Sequence, residues 1–233
     1  MSQDHGNIGL CLLGLGEVDE ALTHIDRAIE LATQAGMRQD QAYWLRVKGD
    51  GLVEKGRYDL ALRDNRAALA IYREIGARAE ELEALHDSGR LHLLLGDSAS
   101  AERDFKRALE TAQSIGLDRG ITLNLIALGD VEFRRKQPDA ALALYEQARQ
   151  RAAAAKAQQS LARSLLRLAR VNRSQGRFAR ASAETDQAFV IAREIGAPSL
   201  EAEALYSRAE LARLQQKFSA ALESYAAAES AVA

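Results

Sequence analysis

Arg163, Arg167 and Arg170 stand at i, i+4 and i+7, and Arg173 follows three residues later. On an α-helix that spacing gathers the first three guanidiniums into one stripe, because residues three and four apart share a face. Like charges held so close repel unless an acidic group lies among them. The planar fork of arginine matches a carboxylate or a phosphate. Residues 159–198 hold seven arginines against three carboxylates, whereas 79–118 hold four basic residues against nine acidic ones. Two readings of the stripe stand. It is a solvated face that pairs with acids elsewhere in the chain or in an oligomer, or it is a site for an acidic peptide.

The remaining reactive side chains lack the spacing that catalysis or metal binding requires. His86 and His92 are six residues apart, so a helix turns them to different faces, and they are expected as partly exposed histidines. Cys11 is the single cysteine and has no activating partner nearby in sequence, so it is expected to pack as a small hydrophobe. Gly14-Leu15-Gly16 is half of a dinucleotide fingerprint with no strand before it. Phosphate-binding loops, H-E-x-x-H, C-x-x-C and G-x-S-x-G are absent. No cofactor, metal or catalytic residue is expected, and the chain reads as a non-enzyme. A formal net charge of -2 supplies no global basic field for nucleic acid or an anionic membrane. No apolar run approaches the roughly 20 residues of a membrane span. One cysteine and no apolar leader point to the cytoplasm.

The elements that must carry these residues come from an internal repeat of 40. Ala21, Ala61, Ala101, Ala141, Ala181 and Ala221 form one column, and Ala28, Ala68, Ala108, Ala148, Ala188 and Ala228 a second. Gly9, Gly49, Gly89, Gly129, Ala169 and Ala209 form a third, always very small. Leu45, Leu85, Leu125, Leu165 and Leu205 form a fourth. Within a unit, helical spacing predicts a first helix near 41–54, with Leu45, Gly49, Leu52 and Val53 on one side. A second helix is predicted near 58–74, presenting Tyr58, Ala61, Leu62, Ala68, Leu69 and Tyr72. Glycines at 16, 56, 96 and 176 mark the turn inside a unit, with Lys136 and Gln216 as exceptions. Glycines at 36, 76, 116 and 196 mark its end. The small columns are expected where helices cross too closely for more than a methyl group.

This order of residues resembles the tetratricopeptide repeat, W-x2-L-G-x2-Y…A-x3-F…P. Leucine takes the tryptophan slot, and Gly49, Gly89 and Gly129 the glycine slot. Tyr58, Phe178 and Phe218 take the aromatic after the turn, and Phe105, Tyr145 and Tyr225 the later one. The departure is length, 40 residues instead of 34, and the extra six are expected at the end of the second helix. Long repeats of this kind resemble those of large bacterial signalling proteins: ATP-dependent activators with helical sensor arms, kinesin light chains and arrays before CHAT protease domains. The resemblance implies an all-α, right-handed α-solenoid of about six repeats, spanning 1–38, 39–78, 79–118, 119–158, 159–198 and 199–233. Neither end looks capped, so the chain is expected to be one array within a longer protein.

The resemblance also implies where a partner would lie: on the concave face, lined by first helices. Carried onto this chain, the ligand-facing columns hold Asn7, then Arg46 and Asp50, then His86, Asp87 and Arg90, then Asp130 and Arg134. Arg163, Arg167, Arg170 and Arg173 follow, and Glu203, Tyr206 and Glu210 complete the set. Arg163 and Arg167 match the last two basic positions of the clamp with which some family members hold a C-terminal carboxylate. Arg90 and Ala127 stand where that clamp has asparagines. The expected function is a protein-interaction scaffold that binds a protein or an acidic peptide in its groove, as the sensing or recruiting arm of a larger regulator. An effector domain in the same chain is a further expected partner. The alternative is a spacer or a module that self-associates through its open ends.

Overall fold

The computed structural model describes residues 1–231; Val232 and Ala233, the end of the last expected repeat, lie outside the described residues. Twelve α-helices follow one another, with no strand among the described residues. The first six are α1 (Ser2–Gly14), α2 (Val18–Gln34), α3 (Arg38–Glu54), α4 (Tyr58–Glu74), α5 (Arg78–Leu94) and α6 (Ser98–Ser114). The second six are α7 (Asp118–Arg134), α8 (Pro138–Ala154), α9 (Gln158–Ser174), α10 (Phe178–Glu194), α11 (Pro198–Leu214) and α12 (Phe218–Ser230). They fall into two units, Met1–Gly116 and the chain from Leu117 onward, each a set of three helix pairs. Inside a unit each helix packs on the next, so the second helix of one pair is covered by the first helix of the following pair.

Three-residue connectors make this regular, and their geometry is legible in the backbone. After α3, the Arg57 amide donates to the Leu52 carbonyl at 2.8 Å and the Gly56 amide to Val53 at 2.9 Å. These are the two bonds of a Schellman close, which satisfies the last carbonyls of a helix. The middle connector residue is left-handed throughout: Gly56 has φ 68°, and where glycine is missing Lys136, Lys156 and Gln216 hold φ 60°, 52° and 62°. The fold therefore keeps the turn even where the residue resists it. A side chain in that conformation costs about 1–2 kcal/mol.

Helix boundaries differ from the sequence reading in one respect. The first helix of the second repeat starts at Arg38 and not near residue 41. The residue that closes one helix also opens the next: Met37 donates to the Ala32 carbonyl and accepts from the Gln41 amide, both at 2.9 Å. Nor is the extra length gathered in the second helix, since α2 to α11 are each 17 residues long.

The alanine columns form the core. From Ala21 to Ala181 and from Ala28 to Ala188 every member is fully buried. The glycine column explains itself by what lies opposite. A Cβ on Gly89 would stand 2.5 Å from the Phe105 ring, and one on Gly129 2.4 Å from the Tyr145 ring. Both rings are fully buried against bare backbone. Two expectations fail at the level of single residues. Cys11 is exposed, because it sits on the outward face of the first helix. His92 is buried, because the second helix of its pair offers Asp104, 2.9 Å from Nδ1.

Candidate interaction surfaces

Every residue expected to face a partner lies on a first helix: Asn7 on α1, Arg46 and Asp50 on α3, His86, Asp87 and Arg90 on α5, Asp130 and Arg134 on α7, Arg163, Arg167, Arg170 and Arg173 on α9, and Glu203, Tyr206 and Glu210 on α11. In the first unit the structure brings four of them together. Arg46 donates from Nε and Nη2 to Asp87 Oδ2, at 3.1 and 3.0 Å, and from Nη1 to Glu83 at 2.7 Å. Burial works against its charge, but the carboxylates of Asp87 and Glu83 more than offset that and hold its proton more tightly than usual. Arg90 lies 3.7 Å from Asp87. Asn7 is exposed and stands outside this group.

Between α3, α4 and α5 these side chains rim a shallow recess that opens to solvent. Gly49, Val53, Asn65, Leu91 and Leu94 line it, with Asp50 among the charged residues at its edge. Asp50 reaches solvent, yet its carboxyl is raised above the ordinary range, by desolvation first and then by the like charge of Asp87. Arg46 and Arg90 offset part of this.

In the second unit the arginine stripe is built around Asp130. Arg170 Nη2 donates to Asp130 Oδ1 at 2.6 Å, and the Tyr145 hydroxyl donates to the same oxygen at 2.7 Å. Arg167 Nε lies 3.3 Å from it, and Nη1 binds Glu203 on α11. Arg170 also stacks on Phe133, 4.6 Å from the ring centre. Burial and the neighbouring Asp130 both push the Tyr145 phenol upward, which keeps it a donor. Arg163, by contrast, is exposed and forms no ion pair with any described residue. Arg173 is half-buried and adds to the field around Glu210, whose carboxyl Arg213 and Tyr225 pull down to about 2. Arg134 is exposed at the end of α7. Two of the four arginines on α9 thus have carboxylates from their own unit, supplied by first helices on either side.

Sequence reasoning missed Tyr145 and Asn65 as parts of these surfaces. Both stand 15 residues after a column that carries Asp130 and Asp50, on the second helix of the same pair. The signal was present as a fixed offset within the repeat.

Among the described residues no group of three or more histidine, cysteine or acidic side chains is placed to hold a metal ion. No described helix is long and apolar enough to cross a membrane.

The tetratricopeptide repeat model matches residues 4–74, 40–114 and 118–188. No curated protein matches the sequence. Among solved structures, aspartyl phosphate phosphatase F from Bacillus subtilis superposes with a TM-score of 0.81 at 13% identity, over 97% of this chain and 69% of that one. NprR in complex with its cognate peptide NprX gives 0.70 at 14% identity, over 97% and 66%. A signal transduction ATPase with a tetratricopeptide repeat sensor, from Pyrococcus horikoshii, gives 0.71 at 15% identity, over 97% of this chain and 38% of that one. At these identities the likeness is one of fold. The helix pairs, the columns and the matched residues together place this chain in the tetratricopeptide repeat family.

Proposed function

We propose that this chain is a non-catalytic protein-interaction scaffold whose first-helix faces hold a segment of a partner, acidic where it meets α9. The reading rests on Arg163. It is an exposed guanidinium in a stripe whose inner members, Arg167 and Arg170, are already held straight by Asp130 and Glu203. The fork of Arg163 is not taken by a carboxylate of the chain, so it is free to make a bidentate contact with one from a partner, beside two neighbours already fixed. The likeness to a peptide-bound NprR and to a sensor module of a signalling ATPase supports a role as the recruiting or sensing arm of a larger cytoplasmic regulator.

Peptides of matched length carrying acidic, neutral or basic side chains would be titrated against the full chain at several salt concentrations. Acidic peptides should bind best, weaken with salt, and lose about ten-fold or more with Arg163→Glu. Equal affinity for all three, or no response to Arg163→Glu, would refute the reading. Self-association is the second reading, favoured by one observation: α12 leaves Phe218 62% and Leu222 70% exposed. Sedimentation that shifts with concentration, and reverts with Leu222→Glu, would support it.

A further inference from the structure

The repeat itself shows what the recess of the first unit lacks. Asp130 and Glu210 share a column 80 residues apart, and each accepts a hydrogen bond from a tyrosine 15 residues on, Tyr145 and Tyr225. The ring of Tyr145 packs against the backbone of Gly129 while its hydroxyl reaches the carboxylate. Asp50 stands in that same column, Gly49 precedes it as Gly129 precedes Asp130, and the residue 15 positions on is Asn65. Asn65 has neither the ring nor the reach. A Cβ on Gly49 would meet only the Ala61 carbonyl oxygen, at 3.8 Å, where Gly129 would collide with a ring.

Asn65 is 2% exposed, and its amide is committed elsewhere. Nδ2 donates to the Ala84 carbonyl at 2.7 Å and to Ser88 Oγ at 2.8 Å. The carbonyl partner can only accept, so the amide orientation is fixed and Oδ1 is left as a buried acceptor that no protein donor reaches. Asp50 forms no hydrogen bond or ion pair with a described residue. A bare glycine floor, apolar walls from Leu91 and Leu94, and the unpaired Asp50 carboxylate therefore occupy the place that a tyrosine fills in the fourth repeat.

We infer that this recess receives a tyrosine side chain from a bound segment, the ring on Gly49 and the phenol donating to Asp50. A phenol fits better than an ammonium group, because the guanidiniums of Arg46 and Arg90 share the rim and repel a cation. It fits better than a plain phenyl ring, because the Asp50 carboxylate accepts a hydrogen bond that a phenyl ring cannot donate. The inference rests on the reading that first-helix faces take a partner segment, but the recess can be tested with no partner present.

The test is a titration of the full chain with p-cresol, toluene and n-butylammonium chloride, followed by amide chemical shifts. p-Cresol should shift amides near residues 46–53 and 87–94 and bind about ten-fold or more tightly than either control. Asp50→Ala should abolish that preference over toluene. Gly49→Ala should keep the fold and weaken p-cresol about ten-fold, because its methyl takes the place of the ring face. Equal binding of toluene, tighter binding of n-butylammonium, or an unchanged response in Gly49→Ala would each overturn the inference. A failed acidic-peptide titration beside a positive p-cresol titration would refute the arginine reading and leave this one standing.

Discussion

Gly49, Gly89 and Gly129 occupy one column of the repeat but face different neighbours. Gly129 has the buried Tyr145 ring against its backbone, so Gly129→Ala forces a methyl into occupied space and should cost about 1–3 kcal/mol in urea unfolding. A Cβ on Gly49 would meet only the Ala61 carbonyl oxygen, at an ordinary 3.8 Å, and Gly49→Ala should instead raise stability by about 0.5–1 kcal/mol, through helix propensity alone. Opposite signs for one substitution in one column would confirm that the ring, and not the helix, demands glycine. Glu210 is the residue with the clearest link to pH. Its carboxyl falls from 4.5 to about 2, through Arg213 first and then Tyr225. A depressed carboxylate stabilises the fold above its unfolded value, and that contribution is lost as pH falls from about 4.5 towards 2. Glu210→Gln should therefore flatten the decline of the melting temperature across that window and leave the neutral range less affected by pH.

At the scale of the element, the connectors carry more of the fold than the caps do. Among the twelve helices only α6 has a side-chain N-cap, Asp97 accepting from the Ser100 amide at 2.9 Å. Regular closure comes instead from the left-handed middle residue, repeated every 20 positions. Where that residue is not glycine the turn is strained, so Lys156→Gly should stabilise the chain by about 1 kcal/mol, read as a shift in the urea midpoint at unchanged slope. Gln216→Gly should gain less in global stability, because α12 buries only Ala221 and opens at little cost. The equal 17-residue helices follow from the same spacing. A longer repeat lengthens both helices of a pair together, since each must cover its neighbour along its whole length.

At the scale of the whole molecule, charge and shape recognition separate. Raising salt from about 0.05 to 0.3 M should weaken acidic peptides several-fold, because Arg163 is exposed to screening, and leave p-cresol nearly unchanged. Both can be read on one sample. The 40-residue repeat, the helix pairs, the turn positions and the small columns are determined by the sequence alone. Hydrophobic spacing and backbone sterics act within one or two turns of chain, so they can be read from neighbouring residues. The first-helix location of the arginine stripe was also legible, through the family pattern. Only tertiary structure decided which charges are already answered: Arg170 meets Asp130 across 40 residues of chain, and Arg46 meets Asp87 across 41. It also decided that His92 is buried against Asp104 and that Cys11 is not buried at all. The recess beside Gly49 belongs to the same class. It arises because Asn65 stands opposite a glycine that elsewhere faces a ring, and what a side chain leaves unfilled depends on distances between helices.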